Sequence, residues 1–205
     1  MNPDDFICTH CRYHLPKTNF HLHQDNPVFR KFSGRVNIHS AASFLYFSKG
    51  GIVQEMIGKL KYRGRKDIGV YLGEIYGDEL HESAFDKTID IIIPVPLHKD
   101  KFKKRGYNQS EQFATGLSQT MSIPTDYLNV IRKTNTNTQT KKGRYARWKN
   151  VEEIFSVDDI EALRGKHVLL VDDVVTTGST LEATATAILL IPGTIISIAT
   201  IACAN

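Results

Sequence analysis

Residues 168–180 read Val-Leu-Leu-Val-Asp-Asp-Val-Val-Thr-Thr-Gly-Ser-Thr: an apolar run, two adjacent carboxylates, then a loop of hydroxyls and glycine. The run over 167–171 lacks the alternation of a half-exposed strand, so it predicts a strand covered on both faces of a sheet. Asp172 and Asp173 then fall at its carboxyl end, and in open α/β sheets the crevice beyond the strand ends is where ligands bind. Neighbouring carboxylates repel unless something shares their charge, and a vicinal diol such as that of a ribose donates two hydrogen bonds to them without a cation. Thr176, Thr177, Gly178, Ser179 and Thr180 offer backbone N–H groups, hydroxyls and a glycine that lets a ligand approach the main chain. A helix expected to open near Leu181 adds its positive end, so the loop is suited to a phosphate. A bare Asp-x-x-Thr ahead of a helix is also ordinary N-cap chemistry. The full thirteen-residue string is a narrower pattern than that.

The chain of 205 residues suits one α/β core with a small attachment better than two full domains. A formal charge of +4 is mildly basic and fits an anionic small ligand or a nucleic acid equally. Three cysteines and no signal-peptide pattern at the amino terminus point to a reducing, cytoplasmic setting without disulfides. The apolar stretch 183–204 is as long as a membrane span, but Pro192-Gly193 divides it into helix formers and then β-branched residues. Helix, turn and buried strand is therefore the reading, with no membrane span.

Residues 1–35 are rich in His, Pro and Asn with little periodicity and read as an appendage; residues 36–205 read as the main domain. Strand character is expected over 36–47, helical spacing over 51–60 and 67–81, and a buried strand over 89–95. A helix is expected over 110–121 with Ser110 as its N-cap, then strands at 127–131 and around Phe155, and a last strand over 194–201. Strands alternating with helices argue for a mostly parallel sheet flanked by helices.

Two further segments bear on the crevice. The strand over 89–95 runs into Pro94-Val95-Pro96-Leu97-His98, where the prolines end the ladder and stiffen the turn; alone, this is a rigid turn. Lys101, Lys103, Lys104 and Arg105 follow, a run that is ordinarily a solvated face but here stands beside a site for anions. Arg105 is the candidate for direct contact, because its planar fork suits phosphate oxygens. Residues 132–150 hold no acidic side chain and read as a long basic loop containing Arg132, Thr138, Gln139, Arg144 and Arg147. Such a loop is a lid over a reacting centre, a basic surface excursion, or a nucleic-acid contact using Tyr145 and Trp148.

The 168–180 string resembles the phosphoribosyl pyrophosphate (PRPP) signature of type I phosphoribosyltransferases. Read with Leu60-Lys61-Tyr62 and Gly64, Pro94-Val95-Pro96-Leu97-His98, Arg105-Gly106-Tyr107-Asn108-Gln109, Thr138-Gln139-Thr140, and Arg147 with Asn150, the chain resembles the bacterial ComF family. That family is also called competence ComF or amidophosphoribosyltransferase-like. The resemblance implies a type I phosphoribosyltransferase fold with a zinc-ribbon-like amino-terminal appendage, and in some members a part in DNA uptake during natural transformation. It implies that Asp172 and Asp173 hold the ribose hydroxyls and that Thr176 to Thr180 cradle the 5′-phosphate. Val95, Pro96, Leu97, His98, Lys99 and Arg105 would meet the pyrophosphate, and the 132–150 segment would close over the centre. Magnesium would accompany PRPP.

The amino terminus departs from the family pattern. Members carry two Cys-x-x-Cys pairs for a tetrahedral zinc, whereas only Cys8 and Cys11 are present and Cys203 belongs to the last strand. The expectation is that the other pair lies upstream of Met1; His10, His14, His21 and His23 match no zinc-finger spacing.

Three functions follow from the resemblance and the residues. The first is a glycosyltransferase that moves the phosphoribosyl group of PRPP to a nitrogen acceptor and releases pyrophosphate; no residue stands out as general base, and the acceptor is unread. The second is a protein that keeps the fold as a PRPP sensor or scaffold while handling single-stranded DNA. The third, PRPP-dependent control of transcription, finds no helix-turn-helix segment to rest on.

Overall fold

The computed structural model describes residue 7, residues 9–133 and residues 154–204. Four strands form a parallel sheet in the order β1-β6-β5-β2: β1 is Ser40–Phe47, β2 Ile91–Pro94, β5 His167–Val175 and β6 Ile195–Ala204. Beside the sheet, β3 (Val130–Arg132) and β4 (Phe155–Val157) pair antiparallel. The helices are α1 (Thr9–Tyr13), α2 (Pro27–Arg30), α3 (Ile52–Tyr62), α4 (Lys66–Glu82), α5 (Lys99–Arg105), α6 (Gln109–Met121) and α7 (Ser179–Leu189). The expected mostly parallel α/β sheet flanked by helices is therefore present.

β5 and β6 lie at the centre because they can be buried on both faces. Val168, Leu169, Leu170 and Val171 are fully enclosed, as are Ile198, Ala199, Ile201 and Ala202. The small side chains of β6 face those of β1, where the Thr200 hydroxyl donates to Ser43 Oγ at 2.8 Å and so satisfies a buried polar pair. β2 stops early. Residues 124–126 cover its outer edge, with the Ile92 N–H donating to Pro124 O at 2.9 Å and the Asp126 N–H to Ile92 O at 3.0 Å. The strand expected over 127–131 begins only at Val130, as β3, because Asp126 Oδ1 takes the Leu128 and Asn129 N–H groups in a turn.

Several boundaries differ from those expected, each for a local reason. The strand expected from 36 begins at Ser40, since Gly34 at φ 71° closes a turn and the Val36 N–H is taken by Phe32 O. β5 runs on to Val175 because β6 continues beside it, with Asp172 opposite Thr200 and Val175 opposite Cys203. α7 opens at Ser179 rather than near Leu181, behind Gly178 at φ 76°. The N-cap of α6 is Asn108, not Ser110: its side chain accepts from the Ser110 N–H at 3.1 Å. The cation run folds into α5, a helix without a buried residue. α7 ends at Leu189, before Pro192-Gly193, and among the described residues no helix is long and apolar enough to cross a membrane.

The described part of the 1–35 segment shares the hydrophobic core, to which Leu15, Phe20, Val28 and Phe32 all belong. Asn26 fixes it in place: its side-chain oxygen caps α2, while its amide donates to Ala41 O on β1 at 2.7 Å. Cys8 lies outside the described residues, Cys11 is half-buried against the core, and among the described residues no cluster of three metal-binding side chains exists.

α4 and α6 pack backbone to backbone. Gly69, Gly73 and Gly77 recur every fourth residue along α4 and meet α6 at Gln112, Gly116 and Thr120. A methyl group on Gly116 would sit 2.7 Å from the Glu74 nitrogen, and one on Gly73 would sit 2.9 Å from the Gly116 Cα. Neither backbone can retreat without opening the core around Phe113 and Leu72, both fully enclosed. Gly116→Ala should therefore destabilise the fold by about 2–3 kcal/mol, read as a lower urea midpoint with an unchanged slope.

Candidate functional site

The site grows from a difference in strand length. β2 pairs with β5 only as far as Pro94 opposite Val171, and the Val95 N–H then donates to Val171 O at 2.8 Å. Beyond that bond β5 keeps β6 on one side and, among the described residues, pairs with no strand on the other, so Asp172 and Asp173 lie past the end of the ladder on that side. The loop after β2 and the loop after β5 meet there, as neighbouring parallel strands require.

Asp172 is half-buried, and its Oδ1 accepts from the Ser110 hydroxyl at 2.9 Å and from the Asp173 N–H at 2.8 Å. Burial first, and then the charge of Asp173, push its pKa up to about 7, against the opposing pull of these hydrogen bonds and of Lys61. Asp173 is met by Lys61 at the end of α3, whose Nζ lies 2.9 Å from each carboxylate oxygen. The acidic pair thus already has a cation beside it. Burial lowers the pKa of Arg132, at the end of β3, and the charge of Asp172 opposes that shift.

The hydroxyl loop turns at Gly178 and enters α7. Thr176, Thr177 and Ser179 are exposed, and the Thr177 and Ser179 hydroxyls lie 3.1 Å apart. These hydroxyls and the first N–H groups of an eleven-residue helix stand on one side of the carboxylates. Two side chains from the amino-terminal segment hold this loop from behind. Arg35 donates to Thr177 O at 2.8 Å and pairs with Glu182, and the Phe32 ring would lie 2.9 Å from any Cβ added at Gly178.

The loop after β2 is only partly available to an anion. The Val95 N–H is spent in the sheet and Pro96 has none, so neither offers a backbone donor to an anion. The N–H groups of Leu97, His98 and Lys99 have no hydrogen-bond partner among the described residues. His98 caps α5, its Nδ1 accepting from the Asp100 N–H at 3.2 Å. Arg105 lies over the Tyr62 ring, 5.4 Å from its centroid, and donates to Gln109 Oε1 at 2.6 Å.

The Arg105-Gly106-Tyr107-Asn108-Gln109-Ser110 block links these parts residue by residue. Gly106 at φ 78° ends α5, and the Tyr107 hydroxyl donates to Leu60 O on α3. Asn108 caps α6 while donating to Val95 O at 2.9 Å; Gln109 holds Arg105, and Ser110 reaches Asp172. Of the loop residues expected over the centre, Arg132 ends β3 within electrostatic reach of Asp172, while Thr138, Gln139, Arg144 and Arg147 lie outside the described residues. Sequence reasoning singled out neither Lys61 nor Ser110 nor Arg35 for the site. Lys61 follows directly on the apolar spacing of its helix, and Ser110 had been assigned to capping.

Residues 107–205 match the family model described as "Phosphoribosyl transferase domain". "Competence protein F" of Haemophilus influenzae is 41% identical over 99 residues, 47% of this chain and 42% of that protein. "Competence protein ComFC" of Bacillus subtilis is 25% identical over 202 residues, 92% of this chain and 80% of that relative. "DNA utilization protein YhgH" of Escherichia coli K12 is 31% identical over 128 residues, 61% of this chain and 56% of that relative. The matched segments thus span less than two thirds of the Haemophilus and Escherichia relatives. Among solved structures, adenine phosphoribosyltransferase of Saccharomyces cerevisiae is 14% identical with a TM-score of 0.45, over 69% of this chain and 72% of that one. A parallel sheet with an acidic pair and a hydroxyl loop at its carboxyl edge, within a matching domain, defines a type I phosphoribosyltransferase-like protein. Within that class the chain is similar to the competence proteins F and ComFC and to YhgH.

The raised pKa of Asp172 sets a sign for stability. A carboxyl that binds its proton more tightly folded than unfolded stabilises the fold below the unfolded value of 3.8, and that contribution is lost as pH rises through about 7. Asp172→Asn keeps the oxygen that Ser110 and the Asp173 N–H address. At pH 8 it should raise stability by on the order of 1–2 kcal/mol relative to its effect at pH 4, measured by denaturant unfolding at both pH values. An equal effect at the two pH values would show that burial does not strain this carboxylate.

Proposed function

We propose that this chain binds PRPP and transfers its phosphoribosyl group to a nitrogen acceptor with release of pyrophosphate. The observation that carries the reading is the meeting, at one sheet edge, of the Asp172–Asp173 pair, the hydroxyl loop at the start of α7 and the free N–H groups of residues 97–99. These offer, in order, acceptors for a diol, a cradle for a phosphate and donors for a second anion. In this reading Asp172 and Asp173 receive the ribose hydroxyls, and Thr176, Thr177, Gly178, Ser179 and Thr180 receive the 5′-phosphate. Leu97, His98 and Lys99 receive the pyrophosphate, with Arg105 turning to it from Gln109. Arg132 and the segment beyond it shield the anomeric carbon from water.

Magnesium suits this donor set as an ion carried by the ligand: it keeps several waters and takes one or two carboxylates plus phosphate oxygens, and two carboxylates are what the strand end offers. Bound there, it would neutralise charge on the departing pyrophosphate. What the chain itself supplies is orientation and charge. The Ser110 hydroxyl and the Asp173 N–H fix one oxygen of Asp172 and leave the other for the sugar. Since the diol needs an ionised acceptor, affinity rises as pH passes upward through about 7. We assign the protein to the cytoplasm on its cysteine usage, and zinc at Cys8 and Cys11 remains part of the proposal.

The names of the relatives favour a second reading, in which the same ligand pocket serves single-stranded DNA handling during DNA uptake. The exposed cations of α5 give such a strand a surface to follow.

At a hundredfold excess over Kd, magnesium-PRPP should raise Tm by roughly 5 °C, and Asp172→Asn with Asp173→Asn should abolish the rise. Pyrophosphate release against purine, pyrimidine and amine acceptors then identifies the acceptor. A Tm unmoved by millimolar ligand would sink the pocket; a shift without release on any acceptor, joined to salt-sensitive binding of single-stranded DNA, would favour the second reading.

A further inference from the structure

Two carboxylates at one half-buried strand end need compensation. The ammonium that supplies it sits squarely on Asp173: Lys61 Nζ is 2.9 Å from Oδ1 and 2.9 Å from Oδ2, with the lysine side chain 20% exposed and the aspartate 13%. The backbone that carries Lys61 is held firmly. Tyr107 donates its hydroxyl to Leu60 O, Leu60 is fully enclosed, and Arg105 lies over Tyr62. Only the flexible four-carbon stem of the lysine is free to move. The contact of Arg105 with Tyr62 also shows that the end of α3 abuts the carboxyl end of α5, the short helix whose other end carries the free N–H groups, so Lys61 has Asp173 on one side and this cationic helix nearby.

An ammonium shared by both oxygens of Asp173 takes one acceptor site on each and obstructs a diol that would bridge the same two oxygens. The sugar gains full use of Asp173 when Nζ moves to another anion. We infer that Lys61 is a latch that couples the two ends of the ligand, a step that rests on the PRPP reading above. The pyrophosphoryl group draws Nζ away from Asp173, and the freed carboxylate accepts the ribose hydroxyls. The latch determines specificity. Ribose 5-phosphate has the same ring and 5′-phosphate but a neutral hydroxyl at C1, so it meets Asp173 still engaged. Such a device keeps the pocket from filling with phosphosugars that have nothing to transfer.

The test is calorimetric titration of magnesium-PRPP and of ribose 5-phosphate into the wild-type chain, Lys61→Met and Lys61→Gln. The latch requires opposite changes: ribose 5-phosphate binds roughly fivefold more tightly to the variants and PRPP roughly fivefold more weakly. A lysine that merely supports the fold or adds general positive charge weakens both ligands alike, and that result, or no change, overturns the inference. Should both variants fail to fold, the wild-type chain answers through the NMR signal of the Lys61 ammonium. It must lose its carboxylate-bound shift with PRPP and keep it with ribose 5-phosphate; retention with both overturns the latch. Wild-type chain that fails to bind PRPP removes the underlying reading and the latch with it, whereas PRPP binding with an unchanged preference removes the latch alone.

Discussion

The hydrogen bond from the Val95 N–H to Val171 O is the last rung between β2 and β5, and the candidate site depends on its being the last. One more rung would place a strand beside Asp172 and close the crevice. Pro96 cannot donate, and the prolines on either side of Val95 carry the chain off the sheet into α5. β6 has no such interruption and supports β5 as far as Val175. The acidic pair therefore keeps the rigidity of a strand on one side and gains access on the other. Positions held on a strand are more sharply defined than positions on a loop, which is what a diol needs from two carboxylates.

The packing of α4 on α6 contributes to the same end. With glycines at their crossing the two helices approach closely, so α6 sits low against β5 and β2 and Ser110, in its first turn, reaches Asp172. The Tyr107 hydroxyl on Leu60 O ties α3 to this arrangement and so sets where Lys61 begins. Ser110 and Lys61, which share the charge of the pair, are both placed by contacts that bind no ligand.

Much of this was legible in the sequence because it rests on local patterns. The continuous apolar run before Asp172 read as a strand buried on both faces, and the Thr-Thr-Gly-Ser-Thr loop as the opening of a helix. What stayed hidden depends on partners distant in sequence. Lys61 and Asp173 are 112 residues apart, Arg35 and Thr177 are 142 apart, and no periodicity records such pairs. The α4 glycines were visible as letters, but their use required knowing which helix faces them. Ser110 was misassigned because capping is a plausible duty for a serine there; Asn108 two residues earlier performs it and leaves the serine hydroxyl for the acid. The bond that occupies the Val95 N–H was also hidden, since its acceptor, Val171 O, lies far along the chain.

The Phe32 ring behind Gly178 and the Arg35 guanidinium on Thr177 O give the amino-terminal segment a second role. Changes in that segment are transmitted directly to the hydroxyl loop that opens α7. Side chains more than a hundred residues upstream thus set the geometry of a turn they never join.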